Sequence, residues 1–445
     1  MQRASLAALA LAGGAAVHGT TVIAQSAEEG LSASTLTATI SQSVTTDSNY
    51  DLDDVSPGQT TYADTRFGLQ LDQIGSDRVL SLGFDTGLRA FWPAKDAVPN
   101  DFEFQFASPS TAHLEYEQEG AHTAFDSSFR FRTRRVDFNN PLTDFITDEG
   151  TLPDDLEQLQ GETSELRYDA DIGFTLGPNA PSSYGVRLVA TNIDYRNSTP
   201  DENLVPRYSV EGSGFWTLRL NPVLSTGLDG SYFYYRADDT EQTEVRIGEV
   251  DWGLIYHPSE ALRVRGGLGY ADRTREEVID DVRETTQSNS GPVVRGDFRY
   301  DLPTVTVLGD ARWTTAAPDP RLSFNLQANY NMPRSRLTGR AFNRYTGGQS
   351  GNEQQVSGIG FGVQHDLNES SRVGLDLSYA YQQNLDEPQD PDIERTNVTA
   401  SFGYDLTRVV TSEIGYTFSN RTEGSSDADS HQFYFNIARI FQTNL

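Results

Sequence analysis

The chain has 445 residues and a formal net charge of −30, which disfavours nucleic-acid binding because nucleic-acid phosphates would be repelled. Only 36% of the residues are hydrophobic, fewer than the roughly 45–50% of a soluble globular domain, so we expect no large two-sided core. The sequence contains no cysteine, which excludes disulfides and thiolate metal sites.

The N-terminus has the pattern of a secretory signal peptide. Arg3 precedes an apolar run from Leu6 to Val17, and the small residue Ala24 precedes a cleavage site before Gln25. We therefore predict a cleaved signal peptide at 1–24, so that the mature chain leaves the cytoplasm.

The remaining chain is predicted to form one domain. We expect a short N-terminal lead at 25–30 and a single body at 31–445. After the signal, the sequence has no run approaching the roughly 18 apolar residues of a membrane helix. A membrane-spanning body would therefore have to be built from strands.

The stretch 78–92, RVLSLGFDTGLRAFW, shows the basic pattern of this domain. Residues of even parity, at even-numbered positions, are mainly apolar and include Leu82 and Phe84. Residues of odd parity, at odd-numbered positions, include Asp85 and Arg89. A period of two residues is typical of a strand with two different faces. The alternation continues well beyond the usual strand length of about 5 or 6 residues.

The same alternation recurs along the whole chain. It predicts about 20 strands, with 18 as the alternative count. Their approximate centres are residues 38, 67, 85, 111, 129, 169, 189, 214, 229, 250, 267, 296, 309, 326, 341, 360, 377, 400, 415 and 435.

Two kinds of connection alternate between these strands. Short segments rich in Pro, Gly, Asn and Asp predict tight turns at 72–77, 177–183, 220–223, 257–261, 301–304, 332–335, 366–371 and 405–408. Longer acidic segments predict loops at 47–62, 136–161, 196–206, 237–243, 274–288, 385–395 and 421–429. One end of the sheet should therefore carry short periplasmic turns, and the other end long acidic extracellular loops.

These features favour an all-β fold, in which residues 31–445 form a closed antiparallel transmembrane β-barrel. A sheet within a bilayer must close on itself because no water is present to satisfy its edges. The apolar parity would face lipid, and the polar parity would face an aqueous lumen. The alternatives are a soluble β-sandwich or β-solenoid, whose shorter strands fit the long alternation poorly.

The C-terminal stretch HQFYFNIARIF supports an outer-membrane barrel. Phe433, Phe435 and Phe441 share one face, which resembles the C-terminal assembly signal of bacterial outer-membrane barrels; Arg439 and the final QTNL depart from that signal. Residues 395–441 resemble the type 2 (BBP-like) β-barrel porin families of Gram-negative bacteria. The resemblance implies an outer-membrane location and a pore, and it brings no site residues.

Charged residues of the polar parity are the candidates for lining the pore. They are Arg89, Asp85, Arg130, Arg132, Arg134, Asp229, Arg263, Arg265, Arg340, Arg344, Asp376 and Glu413. Charge clusters on different walls can orient and filter hydrated solutes. Alternatively, these groups only pair across strands and stabilise the wall.

The expected function is a porin-like channel through which small hydrophilic solutes pass. Two alternatives stay open: an exopolysaccharide export conduit, which Phe91, Phe233 and Tyr235 would support by stacking on sugars, and a plugged structural or adhesive barrel. We expect no enzyme, cofactor or metal centre, because the histidines are scattered without ligand spacing.

The expected partners follow from the outer-membrane location. They are outer-membrane lipids, lipopolysaccharide and the barrel assembly machinery, without nucleic acid. Loop-bound divalent cations near the DLDD segment at 51–54 and formation of a homo-oligomer stay open.

Overall fold

The computed structural model describes residues 33–50, 52, 54–95, 102–106, 109–135, 164–196, 206–238, 242–279, 282–317, 320–347, 353–385 and 391–445. Regular structure in these residues consists of strands. Their bounds are β1 Ala33–Asp47, β2 Thr60–Ile74, β3 Arg78–Trp92, β4 Glu103–Phe106, β5 Ser110–Glu119, β6 Thr123–Arg135, β7 Ser164–Leu176, β8 Ser182–Arg196, β9 Arg207–Asn221, β10 Leu224–Ala237, β11 Glu244–Ser259, β12 Leu262–Ile279, β13 Val282–Asp301, β14 Val305–Thr314, β15 Arg321–Met332, β16 Ser335–Gly347, β17 Glu353–Asn368, β18 Ser371–Asn384, β19 Ile393–Thr407, β20 Val410–Glu423 and β21 Ser426–Asn444.

The strands form a closed antiparallel barrel. Apart from the short β4, each strand pairs with its neighbours along the chain, and β21 returns to pair with β1 from Thr35–Asn444 to Asp47–Gln432. Both β4 and β5 pair with β3, so together they form one interrupted strand and the barrel has twenty. This confirms the predicted fold. The described residues include no helix that is long and apolar enough to cross a membrane.

Every predicted strand centre lies within an observed strand, but two predicted loops were wrong. Residues 274–288 are mostly strand, because β12 and β13 stay paired up to Ile279 and Val282 and extend as a hairpin. Residues 421–429 likewise belong mainly to β20 and β21, which pair up to Glu423 and Ser426. In both cases the ladder of backbone hydrogen bonds continues through an acidic segment.

The two ends of the barrel differ. At one end, here called the turn end, nine connections of two to five residues join the strands, and Ala33 and Asn444 lie there as well. The opposite, loop end carries the remaining described connections, including 48–59. The predicted signal peptide, the lead at 25–30, the whole 136–161 loop and the loop residues Asp51 and Asp53 lie outside the described residues.

The two parities of each strand have different surroundings. In β3, Phe84 and Leu88 are 53% and 54% exposed on the outer face, whereas Arg89 is 7% exposed on the inner face. Cross-strand pairing carries this division around the ring, because directly paired residues share a face. Large apolar side chains therefore cover the outside, as expected for a surface in contact with lipid.

Cysteine labelling can test this division, since the native chain contains no thiol. Ser81→Cys on the inner face should react with a membrane-impermeant thiol reagent in liposomes, because it would meet water. Its neighbour Leu82→Cys should instead carry a fluorophore that brominated lipid quenches. Equal quenching and equal reactivity at both positions would contradict the two-faced barrel.

Candidate functional site on the inner wall

The strand register places all twelve predicted pore-lining residues on the inner parity of their strands. They are spread over β3, β6, β10, β12, β16, β18 and β20. Arg134 pairs with Glu165 in the register of β6 and β7, and its side chain lies outside the described part of the chain. The parity rule thus identified the inner face, although it did not give the contacts made there.

A network of ion pairs crosses the inner wall from β10 to β14. Arg265 on β12 contacts Asp229 on β10 at 2.6 Å and Asp251 on β11 at 3.1 Å. Arg295 on β13 lies 3.5 Å from the second carboxylate oxygen of Asp251. Two arginines on neighbouring strands therefore share Asp251, which accepts a hydrogen bond from Arg265 and forms an ion pair with Arg295.

The same network continues through Glu249. Its two carboxylate oxygens contact Arg295 at 2.5 Å and Arg312 on β14 at 2.8 Å. The side chains of Glu249 and Asp251 are only 5% and 3% exposed, whereas Arg295 and Arg312 are 38% and 34% exposed. The carboxylates thus lie beneath the arginines, and guanidinium groups form the surface that faces the lumen.

A second charged region covers β5 to β8. Arg130 on β6 lies 3.7 Å from Glu115 on β5. Arg167 on β7 contacts Asp169 at 2.9 Å, and Asp171 pairs with Arg187 on β8. Arg130 and Asp169 are direct cross-strand neighbours, so arginines and carboxylates are interleaved on this wall.

Arg89 takes part in a buried cluster near the loop end. Its guanidinium donates two hydrogen bonds to Asp64, at 2.8 and 2.9 Å, and one to the Tyr50 hydroxyl at 2.9 Å. Tyr50 comes from the 48–59 connection, and its ring meets Phe91 at 5.3 Å and Tyr62 at 5.7 Å in edge-on geometry. Part of this connection therefore folds inward against the barrel wall.

The predicted residues of β16 to β20 are arranged differently. Glu413 accepts a hydrogen bond from the Tyr434 hydroxyl at 2.8 Å, and the Arg340 guanidinium lies 5.7 Å from the Phe342 ring centre. Asp376 also lies on the inner face, on β18.

Arg263 on β12 is the direct neighbour of Arg299 on β13, whose guanidinium pairs with Asp301.

Among the twelve predicted residues, the described contacts join Asp229 directly to Arg265. Sequence reasoning missed four partners of predicted residues: Asp64 of Arg89, Arg66 of Asp85, Glu115 of Arg130 and Asp251 of Arg265. It also missed Glu249, Arg295 and Arg312, which extend the network beyond the predicted residues. The alternation of polar and apolar residues along each strand could have identified several of these residues. In VVRGDFRY, for example, Arg295 alternates with the apolar Val294 and Phe298.

Charge is unevenly distributed around the ring. On the inner face of β10–β16 arginines outnumber carboxylates: Arg263, Arg265, Arg273, Arg275, Arg295, Arg299, Arg312, Arg321, Arg336, Arg340 and Arg344 against Asp229, Glu249, Asp251, Glu277, Glu284, Asp297, Asp301 and Asp310.

On the inner face of β17–β21 and β1–β3, carboxylates outnumber arginines. The carboxylates are Asp47, Asp64, Asp72, Asp85, Asp366, Asp376, Asp405, Glu413 and Glu423, and the arginines are Arg66, Arg89, Arg372, Arg395 and Arg421. The two parts of the ring therefore carry opposite net charge.

Within the described residues, His, Asp and Glu side chains form no group of three that could hold a metal ion.

Comparison with known proteins supports the fold. The copper transporter OprC is 11% identical to this chain, with a TM-score of 0.50 over 92% of this chain and 80% of that chain. The chain has the fold of an outer-membrane β-barrel. At this identity the likeness shows the fold alone. No protein-family model and no curated protein matches the chain.

Two further solved structures have TM-scores below 0.5, so they add no support for the fold. The FrpB iron transporter from Neisseria meningitidis (F5-1 variant) is 7% identical, with a TM-score of 0.48 over 93% of this chain and 83% of that chain. OccAB2 from Acinetobacter baumannii is 10% identical, with a TM-score of 0.36 over 92% and 98%.

Glu249 should be important for the stability of this outer-membrane barrel. Glu249→Gln removes the negative charge that accepts a hydrogen bond from Arg312 and attracts Arg295, and a hydrogen bond to a charged group contributes about 1.5–3 kcal/mol. Because both arginines are about one-third exposed, we expect a loss of about 1–2 kcal/mol in unfolding free energy. Urea titration in detergent, followed by circular dichroism, measures the change.

Asp229→Asn is the matched control. Asp229 is 30% exposed, and its partner Arg265 keeps Asp251 as a second acceptor. Its loss should therefore cost less than about 1 kcal/mol. An equal or larger effect at Asp229 would show that Glu249 does not organise the network.

Proposed function

We propose that this protein is an outer-membrane channel for the passive passage of small hydrophilic solutes. The observation that carries the proposal is the charged inner face of a closed twenty-strand barrel. Barrels of about 16–18 strands already enclose an aqueous channel. Charged groups on an inner wall would be solvated by the water of such a channel.

The charge distribution supports a filter as well as a pore. The arginine-rich inner face of β10–β16 and the carboxylate-rich face of β17–β3 would create a field across the lumen. Hydrated solutes with separated charges would be oriented by such a field. The arginine layer above Glu249 and Asp251 is the part of the wall most suited to contact anionic groups.

Location and partners belong to the same proposal. The outer face, with exposed Phe84, Leu88 and Trp92, is suited to lipid contact. The C-terminal strand resembles the signal that the barrel assembly machinery recognises, and its Arg439 lies 4.6 Å from the Phe441 ring centre on the outer face. Membership of the type 2 porin families remains a prediction.

Planar-bilayer recording tests the channel. Purified protein added to one side should produce stepwise conductance increases in potassium chloride, because ions can cross a water-filled barrel. The same amount of heat-unfolded protein serves as the control. Folded, membrane-inserted barrels without conductance steps would reject the channel and favour a plugged structural or adhesive barrel.

Arginines of the β5–β8 wall should influence ion selectivity. Replacing Arg130 and Arg132 by Gln removes two positive charges from the inner face, so the reversal potential in a salt gradient should shift towards cation preference. Arg246→Gln is the control, because Arg246 contacts Glu244 and Glu276 on the outer face. An unchanged reversal potential in the double variant would contradict a filtering role for this wall.

A further inference from the structure

An aromatic side chain lies against the inner wall at Phe215. Phe215 on β9 is the direct neighbour of Gly185 on β8, and its ring occupies the space that a Cβ atom at Gly185 would need. Glycine at this position lets the ring lean over the neighbouring strand. Phe215 is nevertheless 36% exposed, so part of its ring is open to the lumen.

Two more aromatic side chains continue from this point towards the loop end. Phe215 pairs with Asp229 on β10, and Phe233 and Tyr235 follow on the same inner parity of β10. At about 3.4 Å per residue, Phe233 lies roughly 14 Å and Tyr235 roughly 20 Å beyond Asp229 along the strand. Phe215, Phe233 and Tyr235, here called the aromatic track, are therefore distributed lengthwise along the wall.

Polar side chains accompany the aromatic track. Glu211 is the direct neighbour of Phe233, and Asp229 is that of Phe215. Between these two levels, Ser213 and Ser231 pair with each other on the same face. Phe215 and Phe233 thus each lie beside a carboxylate, and hydroxyl groups lie between these two rings.

This combination fits one chemical class of solute. The C–H faces of a pyranose ring are apolar and can cover an aromatic side chain, while its hydroxyl groups need hydrogen-bond acceptors and donors. Carboxylates and serine hydroxyls supply both. Asp229 is paired with Arg265, and Arg187 is the direct neighbour of Ser213, so the arginines beside the aromatic track offset the charges of Asp229 and Glu211. Without a net charge that would attract a charged polymer, the site is better suited to an uncharged sugar chain.

We propose that the aromatic track binds neutral oligosaccharides within the lumen. This inference rests on the proposed channel, whose solutes it assigns to a chemical class. Two separate units of one sugar chain would stack on Phe215 and Phe233, and hydroxyl groups of the chain would bind Asp229, Ser213, Ser231 and Glu211. Phe91, the remaining aromatic candidate from the sequence, is covered by Tyr50 and takes no part.

The test uses maltohexaose as an uncharged probe. In planar bilayers, maltohexaose should reversibly block the ion current, and the concentration for half-block gives the affinity. Phe215→Ala should weaken the block about tenfold, the factor that corresponds to about 1.4 kcal/mol. Phe233→Ala should weaken it as well, whereas Phe215→Trp should retain it because a stacking surface remains.

Phe298→Ala is the matched control. Phe298 also lies over a glycine, Gly309, but on the outer face of β13 and β14. Its removal takes away the same ring from the same type of position without touching the lumen. If maltohexaose blocks the current less strongly in Phe215→Ala but equally well in Phe298→Ala, the aromatic track is supported. Equal weakening of the block in both variants would overturn it.

Calorimetry on detergent-solubilised protein separates this inference from the channel. Wild-type protein that conducts, but shows neither block nor heat of binding with maltohexaose, overturns the aromatic track and leaves the channel standing. Protein that does not conduct, but binds maltohexaose with an affinity reduced by Phe215→Ala, supports the track and rejects the channel. Circular dichroism confirms that each variant is folded before it is tested.

Discussion

Satisfaction of the backbone hydrogen bonds is the constraint on which this structure depends. A bilayer provides no water for an unpaired N–H or C=O, so each strand needs a neighbour on both sides. Pairing of β1 with β21 meets this need for the first and last strands. Closure in turn gives the chain two solvents, lipid outside and water inside, and this explains how a chain with only 36% hydrophobic residues forms a stable fold.

Much of the fold could be predicted from the sequence because both faces of each strand are specified residue by residue. Leu82 stands at an even position and Asp85 at an odd one, and this difference alone assigns Leu82 to the outer face and Asp85 to the inner face. Strand ends were predicted less well, since hydropathy no longer distinguishes the faces once a hairpin leaves the membrane. Residues 274–288 are acidic and loop-like in composition, yet their backbone remains paired between β12 and β13.

The contacts of the candidate site could not be predicted in the same way. Parity assigns Arg295 and Glu249 to one face, but their ion pair spans β13 and β11 and therefore depends on the register of two intervening ladders. Arginine suits such a wall, because its planar group can serve two carboxylates at once, as Arg265 does with Asp229 and Asp251. All basic residues except Lys95 are arginines.

The pairing of Thr35 with Asn444 sets a condition on biogenesis. One edge of β1 can pair with β2 as soon as these two strands meet, but its other edge can pair only with β21. Until β21 joins the sheet, this edge stays open, and an open edge is prone to non-native association. Removal of β21 would leave β1 and β20 with unpaired edges, so the sheet could no longer close.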